Sequence, residues 1–150
     1  MGVYYLDTSA LVKLYVHEAG TEEMVQLASR SRGHTLAVLA LTRVELRAAL
    51  RKRERMGDVS HEAAEDALAR VERHLQHRYL VQPVSDAVIE EAAGLLDRYP
   101  LRGYDALQLA GCLSLRFRVT ETMNFVCSDG GLLVAAGGEG LSTFNPVAPA

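Results

Sequence analysis

Four carboxylates in this sequence sit beside apolar segments. Asp7 directly follows the short apolar run 3–6, and Asp129 follows Phe125-Val126-Cys127-Ser128. Asp105 opens a segment containing Ala106, Leu107, Leu109, Ala110, Cys112 and Leu113. Glu45 has Leu41, Ala48 and Ala49 as helical neighbours at i−4, i+3 and i+4, an apolar stripe in which an unpaired carboxylate is costly or stays protonated. Each acid also has a structural use. Asp7 can cap the helix after it, Asp105 can favour its helix dipole, and Asp129-Gly130 matches a hairpin turn. Thr42-x-x-Glu45 matches a capping box, which places Glu45 at the third helical position near water.

The order of elements decides how these uses combine. The run 3–6 is a strand, ended by the N-cap residues Asp7-Thr8-Ser9 before a helical pattern over 10–16. Helices are expected over 21–30, 41–56, 60–76, 85–99 and 104–115, with a helical turn at 132–136; strands are expected at 35–39, 80–84, 125–127 and 141–144. Helical crossovers between short strands imply a three-layer α/β/α sandwich with a mostly parallel sheet, the first strand central and the apolar helix from Tyr104 buried. The 150 residues suit a single domain over 1–150. In such sheets sites lie beyond the carboxyl ends of the strands, which is where three of the acids are directed.

Two carboxylates about 4 Å apart repel by roughly 4 kcal/mol at an effective dielectric of about 20, so a cluster of four demands a cation. An oxygen-only ligand set favours Mg²⁺ or Mn²⁺ over Zn²⁺. Such ions activate water and shield phosphate oxygens, so phosphodiester hydrolysis is the chemistry these residues support best.

At these same residues the chain resembles a known family. YYLDTSALVKLY, the TRVEL segment, LRGYDALQLAGCL and FVCSDGGLLVAA look like the four acidic motifs of PIN-domain ribonucleases, most closely the VapC toxins of bacterial toxin–antitoxin pairs. The resemblance spans residue 3 to about 146. It implies a PIN-like fold, Mg²⁺- or Mn²⁺-dependent endoribonuclease activity, inhibition by a small VapB-type antitoxin, and a homodimer. By position it makes Asp7, Glu45, Asp105 and Asp129 the acidic site, with Asp7, Asp105 and Asp129 as metal ligands and Glu45 ligating the ion or orienting its water. Family members often carry a hydroxyl residue two before the last acid and a basic residue just after it; this chain has Cys127, Gly130 and Gly131 there. Gln108 stands where many carry His.

Arg43, Arg47, Arg51 and Arg55 recur at spacing four on the helix of Glu45, either as a solvated face or as a track for RNA phosphates or antitoxin carboxylates. Along that track an antitoxin tail could reach the acids with an Arg or Lys of its own. Thr8 and Ser9 either cap a helix or touch a metal-bound water or phosphate. His74-x-x-His77 lacks a third ligand and reads as surface, while Tyr4, Tyr5 and Tyr15 read as core or interface. Leu11, Val12, Leu14 and Tyr15, with the helix over 41–56, are the expected surfaces for a second copy or a partner.

Composition narrows the alternatives. A formal charge of −3 argues against binding nucleic acid by bulk charge, and aromatics at 6% without Trp argue against a base-stacking platform. Cys112 and Cys127 lie in apolar runs without a framework, which suits a reducing cytoplasm; no membrane segment is expected. No Gly-rich phosphate loop or Ser-His-Asp order is readable. The competing classes are a catalytically weak RNA- or partner-binding module and a metal-dependent phosphatase acting on small esters.

Overall fold

The apolar runs become strands, and one or two helices fill every connection between them. The computed structural model describes residues 1–149. In chain order the elements are β1 (Val3–Leu6), α1 (Thr8–Leu11) passing into a 3₁₀ turn (Val12–Leu14), α2 (Thr21–Ala28), a second 3₁₀ turn (Arg30–Arg32), β2 (Thr35–Leu39), α3 (Thr42–Arg55), α4 (His61–His77), β3 (Leu80–Gln82), α5 (Asp86–Arg98), α6 (Gly103–Arg116), β4 (Met123–Val126), α7 (Gly130–Gly138) and β5 (Ser142–Phe144). All four strand pairings are parallel, in the order β3-β2-β1-β4-β5. This is the PIN-like α/β sandwich with the first strand at its centre, and β4 continues into α7 instead of turning back as a hairpin.

Side-chain alternation along the strands feeds two cores. Val3 and Tyr5 of β1, Ala37 and Leu39 of β2, and Met123 and Phe125 of β4 pack against α5, α6 and α7. Leu6, Leu36, Val38 and Val126 point the other way, onto α1 to α4. Buried on both faces, these strands must be short and largely apolar, as they are apart from Thr35 and Asn124. α6 buries eight residues, with Gly111 at its closest approach to the sheet: a Cβ there would stand 2.2 Å from Tyr5 Oη and 2.7 Å from Leu39 Cδ1.

Several boundaries differ from the sequence expectation for local reasons. The helix after β1 tightens into the 3₁₀ turn at Val12 instead of running to residue 16. β3 stops at Gln82 because Pro83 has no N–H for the ladder. The helix over 21–30 ends at Ala28, followed by the turn that Gly33 closes at φ +69°. No capping box forms at α3, because Thr42 is already its first residue and its hydroxyl is buried. The apolar residues expected to face a partner are mostly consumed by the core: Leu11, Val12 and Tyr15 are buried. On α3 Val44 remains exposed among the large apolar residues, as does Met56 just after it. Among the described residues no helix is long and apolar enough to cross a membrane.

Candidate active site

β1 and β4 lie side by side in register, Leu6 opposite Val126, and the chain leaves them in opposite directions across the sheet. A crevice opens beyond the carboxyl ends of strands at such a reversal. Asp7 directly after β1 and Asp129 three residues beyond β4 stand there, each capping a helix. Asp7 Oδ1 accepts from the Ala10 amide at 2.9 Å and Asp129 Oδ1 from the Leu132 amide at 3.0 Å. Asp105 enters from the first turn of α6 and Glu45 from the first turn of α3.

The side chains are cross-linked across these elements. Ser9 Oγ donates to Asp7 Oδ1 at 2.7 Å and accepts from the Ser128 amide at 3.1 Å, tying the loop after β1 to the loop after β4. Thr8 Oγ1 donates to Glu45 Oε1 at 3.0 Å. Gln108 Nε2, buried in α6, reaches Glu45 Oε1 at 2.8 Å, Thr42 Oγ1 at 2.9 Å and Thr8 Oγ1 at 3.3 Å. Arg102 Nε donates to Asp105 Oδ2 at 3.1 Å.

Electrostatics single out Asp7. Burial pushes its carboxyl up from the ordinary 3.8 to about 7, against the hydrogen bonds from Ser9 and Ala10, which favour the anion, and the charges of Asp105 and Glu45 add to the rise. It is a buried acid facing two others. Cys127, two residues before Asp129, is a neutral thiol, raised by burial and by the charge of Asp7, with its Sγ 3.5 Å from the Asp129 carbonyl oxygen. Among the described residues no three Asp, Glu, His or Cys side chains stand close enough together to enclose a metal ion directly.

The PIN domain family model matches residues 4–124. The chain belongs to the PIN-domain family. No curated protein matches it in sequence. Solved structures share the PIN fold over nearly the whole chain. A toxin–antitoxin complex from Klebsiella pneumoniae aligns with a TM-score of 0.66 at 15% identity, covering 95% of this chain and 97% of that one. PAE2754 from Pyrobaculum aerophilum aligns with a TM-score of 0.64 at 25% identity, covering 95% and 89%. VapC20 from Mycobacterium tuberculosis, described as a sarcin–ricin loop cleaving toxin, aligns with a TM-score of 0.64 at 17% identity, covering 98% and 99%.

Within this PIN fold the arginine row divides. Arg43 Nε lies 2.8 Å from Glu72 Oε1, and Arg51 bridges Glu54 at 2.8 Å and Glu65 at 2.6 Å, so two members are tied to carboxylates of α3 and α4. Arg47 and Arg55 are exposed and form no ion pair among the described residues. The row is therefore not a continuous free cationic track. Three network residues carried weaker sequence signals. Arg102 stands at i−3 from Asp105, a pairing distance on a helix; Gln108 interrupts an apolar run; Thr42 looked like a cap but turns its hydroxyl inward.

Proposed function

We propose that this single PIN-like domain over 1–150 is a cytoplasmic Mg²⁺- or Mn²⁺-dependent endoribonuclease, the toxin of a toxin–antitoxin pair. The observation that carries the proposal is Asp7: a buried carboxyl at the reversal point of a parallel sheet, pushed up chiefly by that burial and further by the charges of Asp105 and Glu45. Burying like charges together is costly unless a cation joins them. The donor atoms are all oxygens, as a hard cation prefers, and Mg²⁺ characteristically keeps several waters and takes one or two carboxylates. That habit fits acids too far apart to grip an ion as a trio. Asp7, Asp105 and Asp129 would hold the ion, partly through water, and when bound it supplies an activated water and shields phosphate charge.

The chain's own groups do the positioning. Ser9 and the Ala10 amide both engage Oδ1 of Asp7, which leaves Oδ2 as its ligand atom. Thr8 and Gln108 both engage Oε1 of Glu45, which leaves Oε2 to take a proton from the attacking water. Thr8 thus serves the site through Glu45 and not as a direct phosphate contact. Of Arg43, Arg47 and Arg51, Arg47 is the residue on this helix best placed to meet substrate phosphates.

The partners follow from the same reading. A VapB-type antitoxin would silence the site by placing a cationic side chain among the acids. A homodimer would use the hollow of about 410 Å³ between α5 and α6, lined by Ile89, Ala92, Leu96, Tyr104 and Leu107. Light scattering giving only a 16.4 kDa species at micromolar concentration would count against the dimer.

One observation favours a second reading, an acidic pocket that binds RNA or a partner without cutting: among the described residues no three acids close around an ion. Mg²⁺ and Mn²⁺ titration with product analysis on structured RNA, such as a ribosomal stem-loop, separates the two. Metal-dependent cleavage lost in Asp7→Asn supports the nuclease; binding without products supports the module.

A further inference from the structure

At the opposite edge of the sheet, where β2 and β3 begin, lies a hollow of about 350 Å³ between the turn after α1, the end of α2 and the end of α4. Its lining includes Tyr15, Arg30, Arg70, His74, Arg78 and Tyr79. Arg30, Arg70 and Arg78 form no ion pair among the described residues, and neither does Arg73 on the same helix. In a chain of net charge −3, this is a concentration of unneutralised guanidinium. We propose that this hollow binds phosphate oxyanions.

The groups are held ready for that ligand. Arg70 stacks with Cζ 5.2 Å from the centre of the Tyr15 ring and bonds the Leu14 carbonyl at 3.3 Å; Arg78 bonds the Ala28 carbonyl. Tyr15 Oη lies 2.6 Å from His74 Nδ1 and 2.5 Å from Tyr79 Oη. Burial and the charges of Arg78, Arg70, Arg73 and Arg30 all disfavour the imidazolium, so a neutral ring pairs with the Tyr15 hydroxyl. Several planar guanidinium forks match a tetrahedral oxyanion of one or two charges better than a single carboxylate, and an anion relieves their mutual repulsion. The site stands apart from the acids and does not depend on the nuclease reading.

Imidazole resonances of His74, followed by NMR while inorganic phosphate is added in divalent-free buffer, test the proposal. Phosphate is expected to move them saturably in the wild type and in Arg47→Gln, which lies outside the hollow. Arg30→Gln, at an exposed residue, is expected to weaken the response about tenfold while leaving the fold intact. Arg73→Gln serves as a second variant and is expected to weaken it in the same direction. Resonances of His74 that ignore phosphate, or that respond identically in Arg30→Gln, would overturn the site. Competition then identifies the source. Displacement of phosphate by RNA with every ribose O-methylated assigns the pocket to substrate backbone, whereas displacement only by a nucleoside monophosphate assigns it to a small phosphate ester.

Discussion

Gln108 Nε2 donates to Glu45 Oε1 at 2.8 Å, joining the first turn of α3 to the middle of α6 across 63 positions of sequence. The bond fixes one oxygen of Glu45 from a buried base, and the same amide reaches Thr42 and Thr8. A long, otherwise mobile acid is thereby given one orientation. Replacing Gln108 with Ala should lower kcat for RNA cleavage with little change in KM. The loss should approach tenfold if misplacement of Glu45 costs about 1.4 kcal/mol. It should also destabilise the fold by about 1–3 kcal/mol, since the buried Thr42 hydroxyl loses its donor. Steady-state kinetics and urea unfolding separate the two effects.

Asp7→Asn should abolish metal-dependent cleavage and leave the fold intact. Asn keeps the Oδ1 acceptor for Ser9 and the Ala10 amide and is as good a helix cap. Wild-type turnover by this variant would remove Asp7 from the site.

The same residue predicts a pH dependence. Folded Asp7 keeps its proton to about pH 7, whereas an ordinary Asp releases it near 3.8. Between those values the folded state binds more protons than the unfolded one, so stability in divalent-free buffer should fall as pH rises from about 4 to about 7. The decline is bounded at roughly 4 kcal/mol by about 1.36 kcal/mol per pH unit. Asp7→Asn should flatten it, making the variant the more stable protein at pH 8. Urea midpoints across the pH range provide the check.

Arg47 and Arg51 should behave differently. Arg47→Glu should weaken RNA binding and lower the log-log salt slope by about 0.7 per lost single-strand phosphate contact. Arg51→Glu breaks the pairs to Glu54 and Glu65, so its effect should appear as a small loss of stability with the slope unchanged. Equal slopes for wild type and Arg47→Glu would move the RNA path to another face.

Gly111→Ala should cost about 1–3 kcal/mol, because its Cβ would overlap Tyr5 Oη and Leu39 Cδ1. Tyr5→Phe should rescue part of that loss: it removes the nearer obstacle and a buried hydroxyl that has no partner among the described residues. A double-mutant cycle measures the coupling.

The apolar runs at 35–39 and 104–115 could be read directly from the chain, because each is too hydrophobic to lie anywhere but within the layers, and their places in the fold follow from that. The acids were legible for a related reason. A carboxylate just beyond a buried parallel strand is carried to the sheet's carboxyl edge by connectivity alone, which puts Asp7 and Asp129 at that edge. Tertiary structure decided what those side chains touch. The Thr42 hydroxyl turns toward Gln108 instead of capping α3, and Arg43 and Arg51 are drawn to acids of α4, because α4 packs beside α3 and Gln108 of α6 reaches the first turn of α3. Periodicity describes one element at a time. Which polar groups neutralise one another depends on which elements become neighbours, and that is fixed only when the layers close.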